Sequence, residues 1–242
     1  MAWRCHGSTN AELISKLHSA GLIQSSRVLE AMNKVDRAKY VLRNSLSEAY
    51  QDRPQPIGHG ATISAPHMHA SALENLLPFL NPGARVLDVG SGSGYILACL
   101  YHLVSSPVAI KASHNQQQAG LAIGIEHIPE LAKESIENLK NDGLDEPLAK
   151  GFIKVVAGDA RDPSTEFGGI WDAIHVGAAA PTMPSTLVNQ LASPGRMFIP
   201  VGTDSQAVFQ VDKDEKGEVT IKELYNVRYV PLTSREAQLS GV

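Results

Sequence analysis

The sequence predicts an α/β fold: a mostly parallel, doubly wound sheet with helices on both faces, a helical N-terminal extension, and antiparallel strands at the C-terminal end. Three observations predict it. Short strand-like runs alternate with segments of helical period between residues 84 and 201. The glycine-rich string Asp88-Val89-Gly90-Ser91-Gly92-Ser93-Gly94 falls at the first strand-to-helix junction. The last two strand-like runs, 207–211 and 219–230, have only the turn-like 213–217 between them and so pair antiparallel at one side of the sheet.

The elements follow in order. Thr9-x-x-Glu12 is a capping-box pattern, Leu13, Ile14 and Leu17 follow at helical spacing, and Gly21 can stop that helix. Val28, Met32 and Val35 share one face of a short helix over 27–35. Residues 44–63, with Pro54, Pro56, Gly58 and Gly60, read as a loop. Ser64 stands at a helix N-cap position with Pro66 in the first turn, and Leu73, Leu76, Leu77 and Leu80 form the stripe behind it. Strands are expected at 84–89, 121–125, 153–157, 172–176 and 196–201, and helices at 96–104, 130–140 and 185–191. The polar stretch 105–120 reads as a surface insertion.

A chain of 242 residues with 43% hydrophobic and 19% charged residues fits one soluble domain, with 1–80 as a helical extension and 84–242 as the α/β core. A net charge of −4 argues against a nucleic-acid partner. Cys5 and Cys99 form no metal spacing, the opening residues are polar, and no apolar run approaches the ~18 residues needed to span a bilayer. These features point to a cytoplasmic protein without a membrane partner. His67-x-His69 at a helix start does not put two ligands on one face, so no metal is expected.

The glycine loop lacks the third glycine of the dinucleotide fingerprint, since Tyr95 stands there, and it has no Walker lysine. Asp88 at the strand tip repels phosphates and suits a cation. Glu126 ends the next strand, where a carboxylate accepts from ribose hydroxyls, and Asp159 ends the third, placed to meet an adenine amino group. An adenosine-bearing cation held at three strand tips is S-adenosyl-L-methionine, with S-adenosyl-L-homocysteine as its product. Taken alone, Glu126 and Asp159 also fit helix-capping acids.

Two longer strings are more specific. Ala61-Thr62-Ile63-Ser64-Ala65-Pro66-His67-Met68-His69-Ala70 and Ile174-His175-Val176-Gly177-Ala178-Ala179-Ala180-Pro181 resemble the protein-L-isoaspartate (D-aspartate) O-methyltransferases, as do Asp36-Arg37-x-x-Tyr40, Pro200-Val201-Gly202 and Tyr229-Val230-Pro231-Leu232-Thr233. The glycine loop itself resembles motif I of class I methyltransferases. The resemblance implies the class I S-adenosylmethionine-dependent methyltransferase fold. It implies methyl transfer to the free carboxylate of L-isoaspartyl, and D-aspartyl, residues in damaged proteins and peptides, which then close to a succinimide that can reopen to normal aspartate. It implies a monomer with cofactor contacts at Ala61, Thr62, Ile63, Ser64, His69, Asp88, Val89, Gly90, Ser91, Gly92, Ser93, Glu126, His127, Asp159, Ala160, Thr233 and Gln238, and Ser64 as the catalytic position. The chain departs from the family pattern at the 105–120 insertion, at Ala160 where a glycine is expected, and in the longer stretch 44–53.

A carboxylate with a pKa of ~4 is ionised at neutral pH, so methyl transfer to it needs alignment rather than a general base. Ser64 is then a neutral donor that orients the oxygen without trapping its charge; its local alternative is the helix cap. Ala178–Ala180 leave room for a peptide backbone or serve close packing, and His175 is a polar lining residue or a hydrogen-bonded core histidine. The rival readings are a small-molecule O-methyltransferase, a catalytically silent cofactor-binding protein, and a nicotinamide oxidoreductase, the last disfavoured by Tyr95 and Asp88.

Overall fold

The computed structural model describes residues 5–105, 120–161 and 169–240. Helix α1 (Asn10–Ser19) begins where the Thr9 hydroxyl accepts from the Glu12 N–H, and it buries Leu13, Ile14 and Leu17. Helix α2 (Ser26–Lys34) is capped in the same way by Ser25. Polar side chains tie the following turns to the body: the Tyr50 hydroxyl donates to Asp36 at 2.9 Å and the Tyr40 hydroxyl to Asp142 at 2.8 Å.

Residues 44–63, read as a loop, carry more structure than that. A 3-10 turn spans Arg43–Glu48, and β1 (Gln55–Gly58) pairs antiparallel with β2 (Ala61–Ile63). The strands are too short for periodicity to show them. Helix α3 (Pro66–Leu76) has Ala65 as its N-cap, with no side-chain cap bond, so Ser64 is not the cap the sequence pattern suggested. Its hydroxyl is not committed to the helix end.

The core alternates as expected through β3 (Arg85–Val89), α4 (Tyr95–Val104), β4 (Leu121–Glu126), α5 (Pro129–Asn141), α6 (Asp145–Ala149), β5 (Ile153–Ala157), β6 (Trp171–Val176), α7 (Ser185–Asn189) and β7 (Leu191–Gly202). Strands β8 (Gln206–Lys213) and β9 (Val219–Val227) form the antiparallel edge, and α8 (Arg235–Ser240) ends the described chain. Helices α6 and α8, of 5 and 6 residues, were not expected; both are too short for an apolar stripe to mark them. Strand β7 starts five residues before the expected 196. Its register against β6 shifts between Trp171↔Leu191 and Ala173↔Arg196, which takes up Pro194 and Gly195. Residues 106–119 of the expected insertion lie outside the described residues.

The sheet order is β5-β4-β3-β6-β7-β8-β9. Strands β3 to β7 run parallel, and β8 and β9 are antiparallel. The chain winds outward from β3 through β4 to β5, then returns to β6 on the other side. That reversal opens a crevice at the carboxyl ends of β3 and β6. Alternate residues of β3 enter two cores. Val86 packs among residues of α1 to α5, while Leu87 and Val89 pack with Ile174, Val176 and Leu187 of α7 on the opposite face. Among the described residues no helix is long and apolar enough to cross a membrane.

Candidate active site

Backbone hydrogen bonds set the shape of the glycine loop. The Gly90 and Ser91 N–H groups both donate to the Ile125 carbonyl at the end of β4, at 2.9 and 3.0 Å, and the Gly177 N–H after β6 donates to the Val89 carbonyl at 2.8 Å. Gly90 and Gly92 have φ of 72° and 54°, a region that disfavours other residues. At Gly177 the constraint is space, since a Cβ there would sit 2.9 Å from the Gly90 carbonyl oxygen. Glu126 completes the loop: its Oε2 accepts from the Gly92 N–H and its Oε1 from the Ile128 N–H, both at 3.0 Å.

Two hollows meet at this loop and a third adjoins them; Thr62 and Gly177 line all three. The first is a cleft along the strand tips. It gathers Ala61, Thr62, Val89, Gly90, Gly92, Glu126, His127, Asp159, Ala160 and Gln238 from the sequence-derived set. The second is an inner nook holding Ile63, Ser64, His69, Ser91 and Ser93 beside Gly90 and Gly92. The third is an outer cavity of about 310 Å³, lined by Pro54, Met68, Arg228, Tyr229 and Val230 together with Ser64. Ser64 therefore stands where the nook opens to the outer cavity.

Two residues of the set line none of these hollows. Asp88 is fully buried, and its Oδ1 accepts from His175 Nδ1 at 2.7 Å across the paired strands β3 and β6. Its expected direct contact with a cation is replaced by one layer of protein, because His175 and not Asp88 lines the nook. His175 is thus both a lining residue and a hydrogen-bonded core histidine. Thr233 follows Leu232, whose N–H donates to the Ala179 carbonyl at 2.8 Å, and is half-buried outside the lining.

The alanines after β6 do not leave space for a peptide. Ala178 lines the cleft, while Ala179 and Ala180 are buried where the chain pairs with residues 230–232 and 200–202. Close packing of three backbones explains their size. Tyr95, at the position of the missing third glycine, fills the space behind the nook and stacks on His69 with ring centroids 4.9 Å apart. Burial holds the His69 imidazole well below its ordinary pKa, with the Arg37 guanidinium adding to the effect, so the ring is neutral.

A latch closes the cleft. His127 Nε2 meets Gln238 Oε1 at 2.7 Å, and Gln238 Nε2 donates to the His59 carbonyl in the β1–β2 hairpin at 2.9 Å. Asp159 is gripped by Arg161 through both carboxylate oxygens, and that hydrogen bonding holds its carboxyl below the ordinary pKa. Pro54, Ile57, Met68, Tyr95, His175 and residues 228–232 complete the walls without being in the sequence-derived set. The strings 61–70, 174–181 and 229–233 and the departure at Tyr95 carried signals for Met68, His175, residues 229–232 and Tyr95; Arg228 had none.

Glycine loop, acidic strand tips and crevice at the sheet reversal together define a class I S-adenosylmethionine-dependent methyltransferase. Two residues that line the nook, His69 and Ser91, each hold a buried polar atom without a protein partner, Nδ1 and Oγ, which fits the polar amino-acid end of such a cofactor nearby. The chain belongs to the protein-L-isoaspartate(D-aspartate) O-methyltransferase family, whose model matches residues 8–237. It is 46% identical over 232 residues to protein-L-isoaspartate O-methyltransferase 1 of Arabidopsis thaliana, covering 96% of this chain and 94% of that one. It is 43% identical over 240 residues to the protein-L-isoaspartate O-methyltransferase of Caenorhabditis elegans, covering 98% of each. A crystal structure from Plasmodium falciparum, described as a protein-L-isoaspartate O-methyltransferase in complex with S-adenosyl-L-homocysteine, superimposes with a TM-score of 0.79 at 35% identity, covering 94% of this chain and 99% of that one.

Proposed function

We propose that this protein transfers the methyl group of S-adenosyl-L-methionine to the free carboxylate of L-isoaspartyl, and D-aspartyl, residues in damaged proteins and peptides, the first step of their repair through a succinimide. One observation carries the reading: Ser64 sits at the junction between the glycine-loop nook and an outer cavity wide enough for a side chain. When bound, the cofactor supplies an electrophilic methyl on a positively charged sulfur.

The protein's own residues bind, orient and exclude water. Glu126 and Asp159 offer acceptors for ribose hydroxyls and an adenine amine. Ala61, Thr62, Val89, Gly90, Gly92, His127, Ala160 and Gln238 wall the cleft, and Ile63, His69, Ser91 and Ser93 wall the nook. Asp88 acts through His175, and Thr233 acts through the backbone of the latch. The Ser64 hydroxyl donates to the substrate carboxylate and aims it. The reacting charges cancel during transfer, so a nook that sheds water favours reaction over solvation of the ground state. No proton has to move.

Residues 1–80 serve as the substrate-facing extension of one domain, because Pro54, Ser64 and Met68 all come from it. The net charge of −4 and the two free cysteines support action in the cytoplasm without nucleic acid, and the protein acts as a monomer in this reading. Tritiated methyl transfer to an isoaspartyl peptide and to its aspartyl twin tests the function. Label should enter the isoaspartyl peptide alone; label in both or in neither overturns it, and transfer to a small-molecule hydroxyl would favour the rival methyltransferase.

A further inference from the structure

We infer that Arg228 selects isoaspartyl sites that have a second carboxylate, an acidic side chain flanking the damaged residue. The inference rests on the proposed function and concerns its outer cavity. Arg228 is the one side chain charged at neutral pH among the residues lining that cavity; Pro54, Thr62, Ser64, Met68, Gly177, Tyr229 and Val230 are uncharged there. It makes no ion pair among the described residues, and it is exposed. On the opposite wall the charge next to Pro54 is spent, because Arg53 is paired with Glu48.

The backbone that presents Arg228 is anchored. The Gln206 side chain brackets the next residue, accepting from the Tyr229 N–H at 2.6 Å and donating to the Tyr229 carbonyl at 3.3 Å. The Val230 carbonyl then accepts from the Ala179 N–H at 2.8 Å. A guanidinium on an anchored segment just past β9 lines the same hollow as Ser64. The reacting carboxylate belongs at Ser64, since pairing it with arginine would hold its charge back from the methyl group. The cation at the rim is therefore left for another carboxylate of the substrate. A chain with a net charge of −4 repels acidic peptides at a distance, and one unpaired cation at the mouth reverses that within a Debye length of about 8 Å.

Three synthetic isoaspartyl hexapeptides test this, identical except that both residues flanking the isoaspartate are Gln, Glu or Lys. An exposed ion pair supports a preference of roughly two- to fivefold in KM for the Glu over the Lys peptide. That preference should shrink at 0.5 M NaCl. Arg228→Gln should erase it, Arg228→Glu should invert it, and Arg228→Lys should retain it, with thermal melts reporting folding of each variant. The same KM ratio in the parent and in Arg228→Gln, or a ratio indifferent to salt, overturns the inference while methylation of the Gln peptide upholds the proposed function. Failure of the parent to methylate any of the three overturns the function itself.

Discussion

Strands β3, β4 and β5 and strands β7, β8 and β9 belong to one sheet, yet they reach the active site by different routes. The parallel strands place their contributions directly at their tips: the glycine loop after β3, Glu126 at the end of β4, Asp159 just past β5. Each is a short local string whose geometry follows from the strand before it. The strands of the other edge contribute one side chain at a tip, Arg228 just past β9. Gln206 of β8 and Ala179, just past β6, pin the returning chain after β9, and that segment supplies the outer wall and the latch. The first half makes a cofactor cleft from local sequence. The second half makes a substrate mouth from contacts among residues far apart in the chain.

That contrast can be broken at the junction first. Ser64→Ala removes one neutral donor, which should lower kcat about 100-fold or more and leave S-adenosyl-L-homocysteine affinity within about threefold by calorimetry. Turnover at the parental rate would show that Ser64 merely lines the wall. On the parallel side, Asp88→Ala leaves His175 Nδ1 buried without its partner and should cost about 2 kcal/mol in urea denaturation. An unaltered midpoint would mean that the pair contributes nothing to the sheet. Gly177→Ala forces a methyl against the Gly90 carbonyl and should weaken cofactor binding about tenfold, some 1.4 kcal/mol, with little change in the melting temperature. Tight binding by that variant would show that the glycine loop can shift. On the antiparallel side, Gln238→Ala opens the latch and should weaken the cofactor only about threefold, since the bonds it breaks are partly exposed.

The last effect concerns pH. Burial holds His102 down to about 4, with Lys34 adding to it, and holds His69 well below 6.5. Below pH 6.5 the unfolded chain takes up protons that the folded chain refuses. The stability these rings allow is thus complete above pH 6.5 and is lost as pH falls toward 4. Urea midpoints between pH 7 and 4.5 should decline, and less steeply in His102→Gln; parallel curves would remove His102 from the account.

The same contrast explains what could be read from residues alone. The alternation of strands and helices, the carboxylates at the strand tips and the strings around Ser64 and Gly177 were all visible, because strand period and turn chemistry act over a few residues. The short hairpin β1–β2 and helices α6 and α8 were not: the hairpin strands have three and four residues, with Pro56 and Gly58 breaking any alternation, and the two helices span under two turns without an apolar stripe. Ser64 looked like a cap by spacing, and one residue of offset, with Ala65 capping instead, frees its hydroxyl for the site.

The linear order of residues was enough to specify a sheet of parallel strands with an acidic, glycine-rich crevice at its reversal, since local backbone preferences and apolar alternation carry that information. Packing settled the rest: that His175 stands in front of Asp88, that three alanines are small to let backbones meet, and that Arg228 arrives beside Ser64. Those pairings join positions up to 164 residues apart, counted from 64 to 228, and the closeness of such residues follows from how the sheet edge folds back rather than from any neighbour in the chain.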